Sequence, residues 1–350
     1  MLVMSHFWTD FLAQNPSLGS LSAQGWIAAP TLTHTELCWT PLLSQQLIQV
    51  VGSDAQKFLQ GQLTCDLRQL DQNLSLLGAH CNIKGHMASL FRVFKLEEGR
   101  YWLRTQSEMA ADAQARLAKY IIFSKAKLED LSPETCGMGL SGPGVKALLQ
   151  THFPTLNDWP SQAHASRHGE NWALTCLETE RYELWGSFNS LQPLLTTLLT
   201  EGQMLSSNDW LLADIRAGIP DLRPATCEAF IPQMTNLQAL EGVSFQKGCY
   251  TGQEIVTRLQ HRGQLKRPMF HMAVSCKRTP EAGELLRAAE KDNVGQVVLA
   301  AQTQPEEVEL LVVALKERAE QEDLYLSSGE KLRLLSLPYE LDPKLFESKR

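Results

Sequence analysis

Between residues 46 and 335 the chain is cut into short β-rich runs, joined by turns and by helices at irregular intervals. A doubly wound parallel sheet needs strand and helix in regular alternation; this order instead fits antiparallel sheets with helices gathered on one face. The expected fold class is α+β. Residues 46–51 read as a strand closed by Gly52, and residues 53–60 as a helix with Ser53 as its N-cap. Further β-rich runs fall at 74–81, 87–96 and 101–105, followed by helical spacing over 108–120 and a sheet edge made of 121–123 with 127–129. Residues 172–177 and 181–185 are predicted as paired strands, 191–199 and 210–217 as helices, and 230–237 as extended chain.

Beyond Pro268 short strands at 269–275, 285–288, 294–301, 308–315, 324–326 and 332–335, with turns at 291–293 and 328–330, suggest a small C-terminal antiparallel β-barrel. The apolar run 307–315 is also compatible with a helix. Four segments follow: a loosely ordered N-terminal arm over 1–40, with a short helix near 7–12, two α+β lobes over 41–265 dividing near 130, the barrel over 266–342, and a frayed tail over 343–350.

A length of 350 residues suffices for two or three cores, and the net charge of −7 argues against binding nucleic acid through bulk electrostatics. The eight cysteines are scattered, without a CxxC or other metal-ligand spacing, so free thiols in a reducing cytoplasm and no metal site are expected. The first residues lack the pattern of a signal peptide, and no apolar run reaches the ~18 residues needed to span a bilayer.

The segment Gln246-Lys247-Gly248-Cys249-Tyr250-Thr251-Gly252-Gln253-Glu254 carries the chemistry. Thr251 and Glu254 have capping-box spacing, with Tyr250 and Ile255 as a staple. That reading puts Cys249 before the positive end of a helix and near the Lys247 ammonium, where a thiolate is favoured. The alternative is a small buried residue in a tight loop. Arg258, Arg262, Lys266 and Arg267 form either a solvated face or an anion site. Gly137-Met138-Gly139-Leu140-Ser141-Gly142 has the letters of a dinucleotide-binding turn, but Met138–Ser141 reads as a strand and Gly142-Pro143-Gly144 as the turn opening a helix through Gln150; His164 and His168 read as part of a solvated loop.

The cysteine segment, together with Gly52-Ser53-Asp54-Ala55, Phe58-Leu59-Gln60-Gly61-Gln62, Lys84-Gly85, Tyr120 through Lys125, Ile231-Pro232-Gln233 and Thr235 through Leu240, resembles the YgfZ family of folate-binding proteins linked to tRNA modification. The resemblance runs from about residue 46 to the C-terminus. It implies the fold of the glycine cleavage aminomethyltransferase, tetrahydrofolate as ligand, and support of iron–sulfur enzymes that thiolate tRNA, by a cytoplasmic monomer that interacts with iron–sulfur assembly proteins. Direct contact with tRNA is left open. Cys249 would be the functional thiol, with Lys247 beside it.

Trp210 matches a folate-contacting tryptophan of that family, although an indole there also suits a core anchor. The other such tryptophan aligns with Gln45, a departure that bears on folate affinity. Arg258, Arg262 and Arg267 would add positive potential. The aminomethyltransferases carry an acid after their equivalent of Lys84-Gly85, whereas here His86-Met87-Ala88-Ser89-Leu90 follows, so one-carbon transfer lacks an obvious base. A non-enzymatic folate-binding accessory role is the leading expectation. The rivals are a folate-dependent one-carbon transferase and an acyl transferase pairing Cys249 with His261.

Overall fold

The computed structural model describes residues 6–22, 25–29, 36–70, 73–154, 156 and 158–347. The chain parts into two compact units, one of Met1–Leu59, Leu67–Leu76 and Phe91–Trp210, the other of Gln60–Asp66, Leu77–Leu90 and Leu211–Arg350. Neither 130 nor 265 is a border of these units. Two borders, at 76/77 and 90/91, fall inside the strands Ser75–Cys81 and Met87–Glu97, where no turn residue marks them.

The first unit holds a six-stranded sheet in the order Ser166–His168, Trp172–Glu178, Arg181–Ser187, Thr135–Ser141, Cys38–Pro41, Gln203–Met204. A five-stranded sheet runs Ser75–Cys81, Met87–Glu97, Arg100–Gln106, Gln45–Val51, Lys127–Asp130. Gly139 lies within a strand, as the sequence suggested, and the strand starts earlier, at Thr135, so that it takes in Gly137 too; the glycines serve packing, since a Cβ would come within 2.5 Å of the Trp185 ring at Gly137 and 2.6 Å of the Trp210 ring at Gly139.

Several expectations are corrected. The described part of the N-terminal arm is packed: the helix His6–Gln14 buries Trp8 and Leu12 in one core with Trp26 and Trp39, and Trp8 Nε1 donates to Gly137 O at 3.0 Å. The polar composition of the arm hid how much area three indoles bury. The helix after Gly52 starts at Ala55, so Ser53 is not its cap; the Asp54 carboxylate instead accepts from Lys125 N at 2.8 Å. His168 ends a strand, and His164 is half-buried at φ 68 against Arg92, so neither belongs to a solvated loop.

In the second unit a five-stranded antiparallel sheet has the order Leu285–Ala288, Lys291–Gln304, Glu307–Ala314, Met269–Ser275, Arg333–Leu335. Tyr325 adds single bridges to Arg287 and Lys331. Leu310, Val312 and Ala314 enter one core while Leu311 and Val313 enter another. Burial on both faces makes the run continuously apolar, and that is why sequence alone left helix and strand open there. Residues 291–293 belong to a strand, with Asn293 at φ 56, and the turn sits one step earlier.

Residues 230–237 contain a short 3-10 turn, Pro232–Thr235, in place of the extended chain expected. It closes on Asn236, whose side-chain amide donates to Met269 O at 2.9 Å. The described part of the tail is docked, with Leu345 buried and its carbonyl accepting from Leu265 N at 2.7 Å. Among the described residues no helix is long and apolar enough to cross a membrane.

Candidate functional site

In the second unit the cysteine segment is tied to residues 61–65 by a row of hydrogen bonds. Thr64 Oγ1 donates to Gly242 O at 2.6 Å, Ser244 N donates to Thr64 O at 2.9 Å, and Thr251 N donates to Gly61 O at 3.3 Å. Lys247 is 6% exposed, and its ammonium donates to Leu63 O and to Cys65 O, each at 2.7 Å, while lying 5.1 Å from the Tyr250 ring centroid. The lysine is thus a clamp under the loop, its donors engaged by main-chain carbonyls.

The capping box is not formed. The helix begins at Gln253 behind Gly252, which sits at φ 83 and carries no side-chain cap. A Cβ at Gly252 would lie 2.5 Å from Asn82 O, so this close backbone approach requires glycine. It moves the helix start beyond Thr251, and the predicted staple is lost with it.

Of the eight cysteines only Cys249 is exposed. A Cβ at neighbouring Gly248 would meet nothing within 4 Å, so the chain on this side of the thiol faces open space. Cys65 and Cys81 lie in the same unit but are buried, and burial pushes both thiols up to about 12. They stay protonated and inert at neutral pH. Burial likewise pushes the Tyr250 phenol above its ordinary range.

Arg258 and Arg262 are exposed on the helix Gln253–Arg262, and the Arg267 guanidinium donates to Asn293 O at 3.1 Å. His261 is exposed, with its ring edge-on to Phe245 at 6.5 Å; among the described residues no hydrogen bond joins it to Cys249. The turn at Lys84-Gly85 is held by Asn82 Oδ1, which accepts from Lys84 N at 2.9 Å and from His86 N at 3.1 Å. Sequence reasoning missed one residue here. The Asn82 amide donates to Glu228 at 2.9 Å, so a carboxylate reaches this turn from far along the chain.

The first unit brings together a different set. Trp210 is 7% exposed, with its ring against Gly139 and the Arg181 guanidinium carbon 4.2 Å from its centroid. It shares a core cluster with Leu42, Leu47, Phe94, Trp102 and Trp185. Gln45, at the start of the strand Gln45–Val51, lies between Leu42 and Leu47 of that cluster and pairs in register with Gln106. Gln45 Oε1 and Thr40 Oγ1 are buried without a partner among the described residues, and Thr40 pairs in register with Gly139. Structure thus gathers the two positions singled out for folate, but Trp210 is packed as a core anchor.

The same interior holds an ionic cluster that no sequence motif announced. Glu183 is 1% exposed; Arg104 Nε approaches it to 3.1 Å, Arg92 Nε to 4.0 Å, and Trp185 Nε1 donates to it. Arg92 also donates to Ser75 Oγ at 3.2 Å and faces His164 Nδ1 at 3.2 Å. Burial, and then the Arg92 charge, hold His164 down to about 4, so the ring is neutral and can accept from the guanidinium. A clue was present in the sequence: Arg92, Arg104 and Glu183 each fall on the inward side of a strand, where charge is costly unless paired.

Residues 43–169 match the family described as GCVT N-terminal domain. Across 94% of this chain and 96% of the other, the structure resembles the glycine cleavage system aminomethyltransferase T from Bartonella henselae, with a TM-score of 0.73 at 16% identity. The chain has the mixed α+β fold of that aminomethyltransferase. Heterotetrameric sarcosine oxidase from Corynebacterium sp. U-96 is also similar over 54% of this chain and 92% of that one, at 11% identity. The TM-score of that match is 0.35.

Proposed function

We propose that this chain is a tetrahydrofolate-binding accessory protein that supports iron–sulfur enzymes, among them those that thiolate tRNA, through the thiol of Cys249. The observation that carries the reading is the placement of the one exposed cysteine on a loop clamped from below by Lys247. Such a thiol is presented to a macromolecule without being free to fold back into a core. It suits transient ligation of a partner's metal centre by the thiolate, the thiol proton passing to water, in a reducing cytoplasm, with the protein acting as a monomer.

The folate half rests on the fold shared with a protein named as an aminomethyltransferase, and on chemistry in the first unit. An aminopteridine offers donors and acceptors on one edge and a flat face. Gln45 Oε1 and Thr40 Oγ1 are unmet polar atoms beside an indole, and Glu183 is a carboxylate in the same interior. These residues fit such a group, which when bound would supply a one-carbon carrier or a redox-sensitive pterin. Gln45, Thr40 and Glu183 would hold its polar edge. Trp210 would shape the wall through packing. In the other unit, Arg258 and Arg262, both exposed, and Arg267 would supply positive potential on their own surface.

Fluorescence titration with tetrahydrofolate tests the folate half: wild type binds, and Gln45→Leu, which removes the polar atoms at similar size, weakens binding by roughly tenfold. Absence of binding by wild type would remove folate from the account. A second reading, one-carbon transfer, is favoured by Glu228 at the Lys84-Gly85 turn. Turnover of methylene-tetrahydrofolate by wild type and its loss in Glu228→Gln would establish that reading.

A further inference from the structure

We propose that the apolar tip following the helix Ser107–Ile121 is a docking knob for a protein partner that offers an apolar pocket rimmed by carboxylates. Phe123 is 89% exposed, Ile122 71% and Tyr120 43%, three large side chains within four residues, where the helix ends and the following turn begins. Single exposed apolar residues are ordinary, but a contiguous group of this kind marks an interaction site.

The tip is also held rigidly from behind. Ser124 N donates to Ile121 O at 2.8 Å and closes the turn, while Asp54 Oδ2 accepts from Lys125 N at 2.8 Å and Asp54 N donates to Lys125 O at 3.3 Å. Gly52, at φ 143, lets the backbone approach so closely that a Cβ there would stand 2.2 Å from Lys125 O. An anchor fixed in this way gives up little conformational entropy when a partner seats on it.

Charge selects the partner. Lys57, Lys119, Lys125 and Lys127 are exposed, and none has an ion-pair partner among the described residues. The nearby acids are engaged: Asp112 with Arg116 at 2.6 Å, Glu129 with Gln49 at 2.7 Å, and Asp54 with the Lys125 amide. An apolar tip flanked along the chain by the exposed Lys119, Lys125 and Lys127, in a chain of net charge −7, is complementary to an acidic surface. A nucleic acid would use the lysines and could stack on Phe123, but it has no pocket for the branched aliphatic Ile122. The observations favour a protein.

The test places the photo-crosslinker p-benzoylphenylalanine at position 120 in living cells. The predicted result is an adduct with an acidic protein, lost in Ile122→Ser/Phe123→Ser and in Lys119→Glu/Lys125→Glu/Lys127→Glu. With the purified partner, each variant weakens binding by roughly tenfold or more, as does raised salt for wild type, while the melting temperature is unchanged. Adducts with RNA, with lipid or with a second copy of this chain would overturn the proposal. So would the absence of an adduct, or binding that neither variant weakens.

Discussion

Lys247 and Arg104 are both cations removed from water, yet they are held in opposite ways. Lys247 gives its ammonium to two main-chain carbonyls at the base of the Cys249 loop, partners supplied by the path of the backbone. Arg104 depends on the Glu183 carboxylate, which Arg92 and Trp185 also share. A cation on carbonyls ties one loop to one neighbouring segment, whereas charges that neutralise each other make the interior interdependent. The first arrangement fixes a group that stays exposed, and the second keeps charge tolerable in a core.

The largest effect should come from breaking the interdependent cluster. Glu183→Leu removes the buried carboxylate that Arg92 and Arg104 share and should lower stability by about 3–5 kcal/mol in urea unfolding. A loss below about 1 kcal/mol would mean that the guanidiniums do not need the carboxylate.

Acid should reach the same cluster through His164. Its folded value of about 4 lies below the ordinary 6.5, so the folded state binds fewer protons than the unfolded chain in that window. Stability is therefore full above pH 6.5 and falls as the pH drops towards 4, by on the order of 2–3 kcal/mol. Asparagine tolerates the positive φ at this position, and His164→Asn should remove that part of the pH slope.

Lys247→Met should cost about 2 kcal/mol, and its effect should be local. Hydrogen exchange should quicken over residues 242–251, and alkylation of Cys249 should change in rate without exposing Cys65 or Cys81. A uniform rise in exchange throughout the unit would erase the contrast with Glu183. Cys249→Ser, at an exposed position, should shift stability by less than about 0.5 kcal/mol.

How much was legible in the sequence follows from where each signal arises. β-rich runs bounded by turn residues identified nearly all the long strands, because burial along most of their length makes them short, nearly continuous apolar stretches. The domain borders were not legible, since two of them lie inside strands and depend on which side chains join which core. Trp8, Trp26 and Trp39 were hidden in a polar arm for a similar reason: their burial is set by distant partners. At the site, Gly252 has the positive φ and close backbone approach that the glycines suggested, whereas Gly248 has neither, and Cys249 between them is exposed. The capping box was not formed because Gly252, forced close to Asn82 O, starts the helix later than the Thr251–Glu254 spacing implied. Glu183 and Glu228 were missed because their partners come from strands and turns remote in sequence.

The most direct test of the central claim replaces the thiol and nothing else. Cys249→Ser is expressed in cells that lack the protein, and thiolated tRNA is quantified alongside the tetrahydrofolate affinity of the purified variant. The account predicts that thiolation stays at the level of cells without the protein while folate affinity and melting temperature match wild type. Full restoration of thiolation by the serine variant would contradict it.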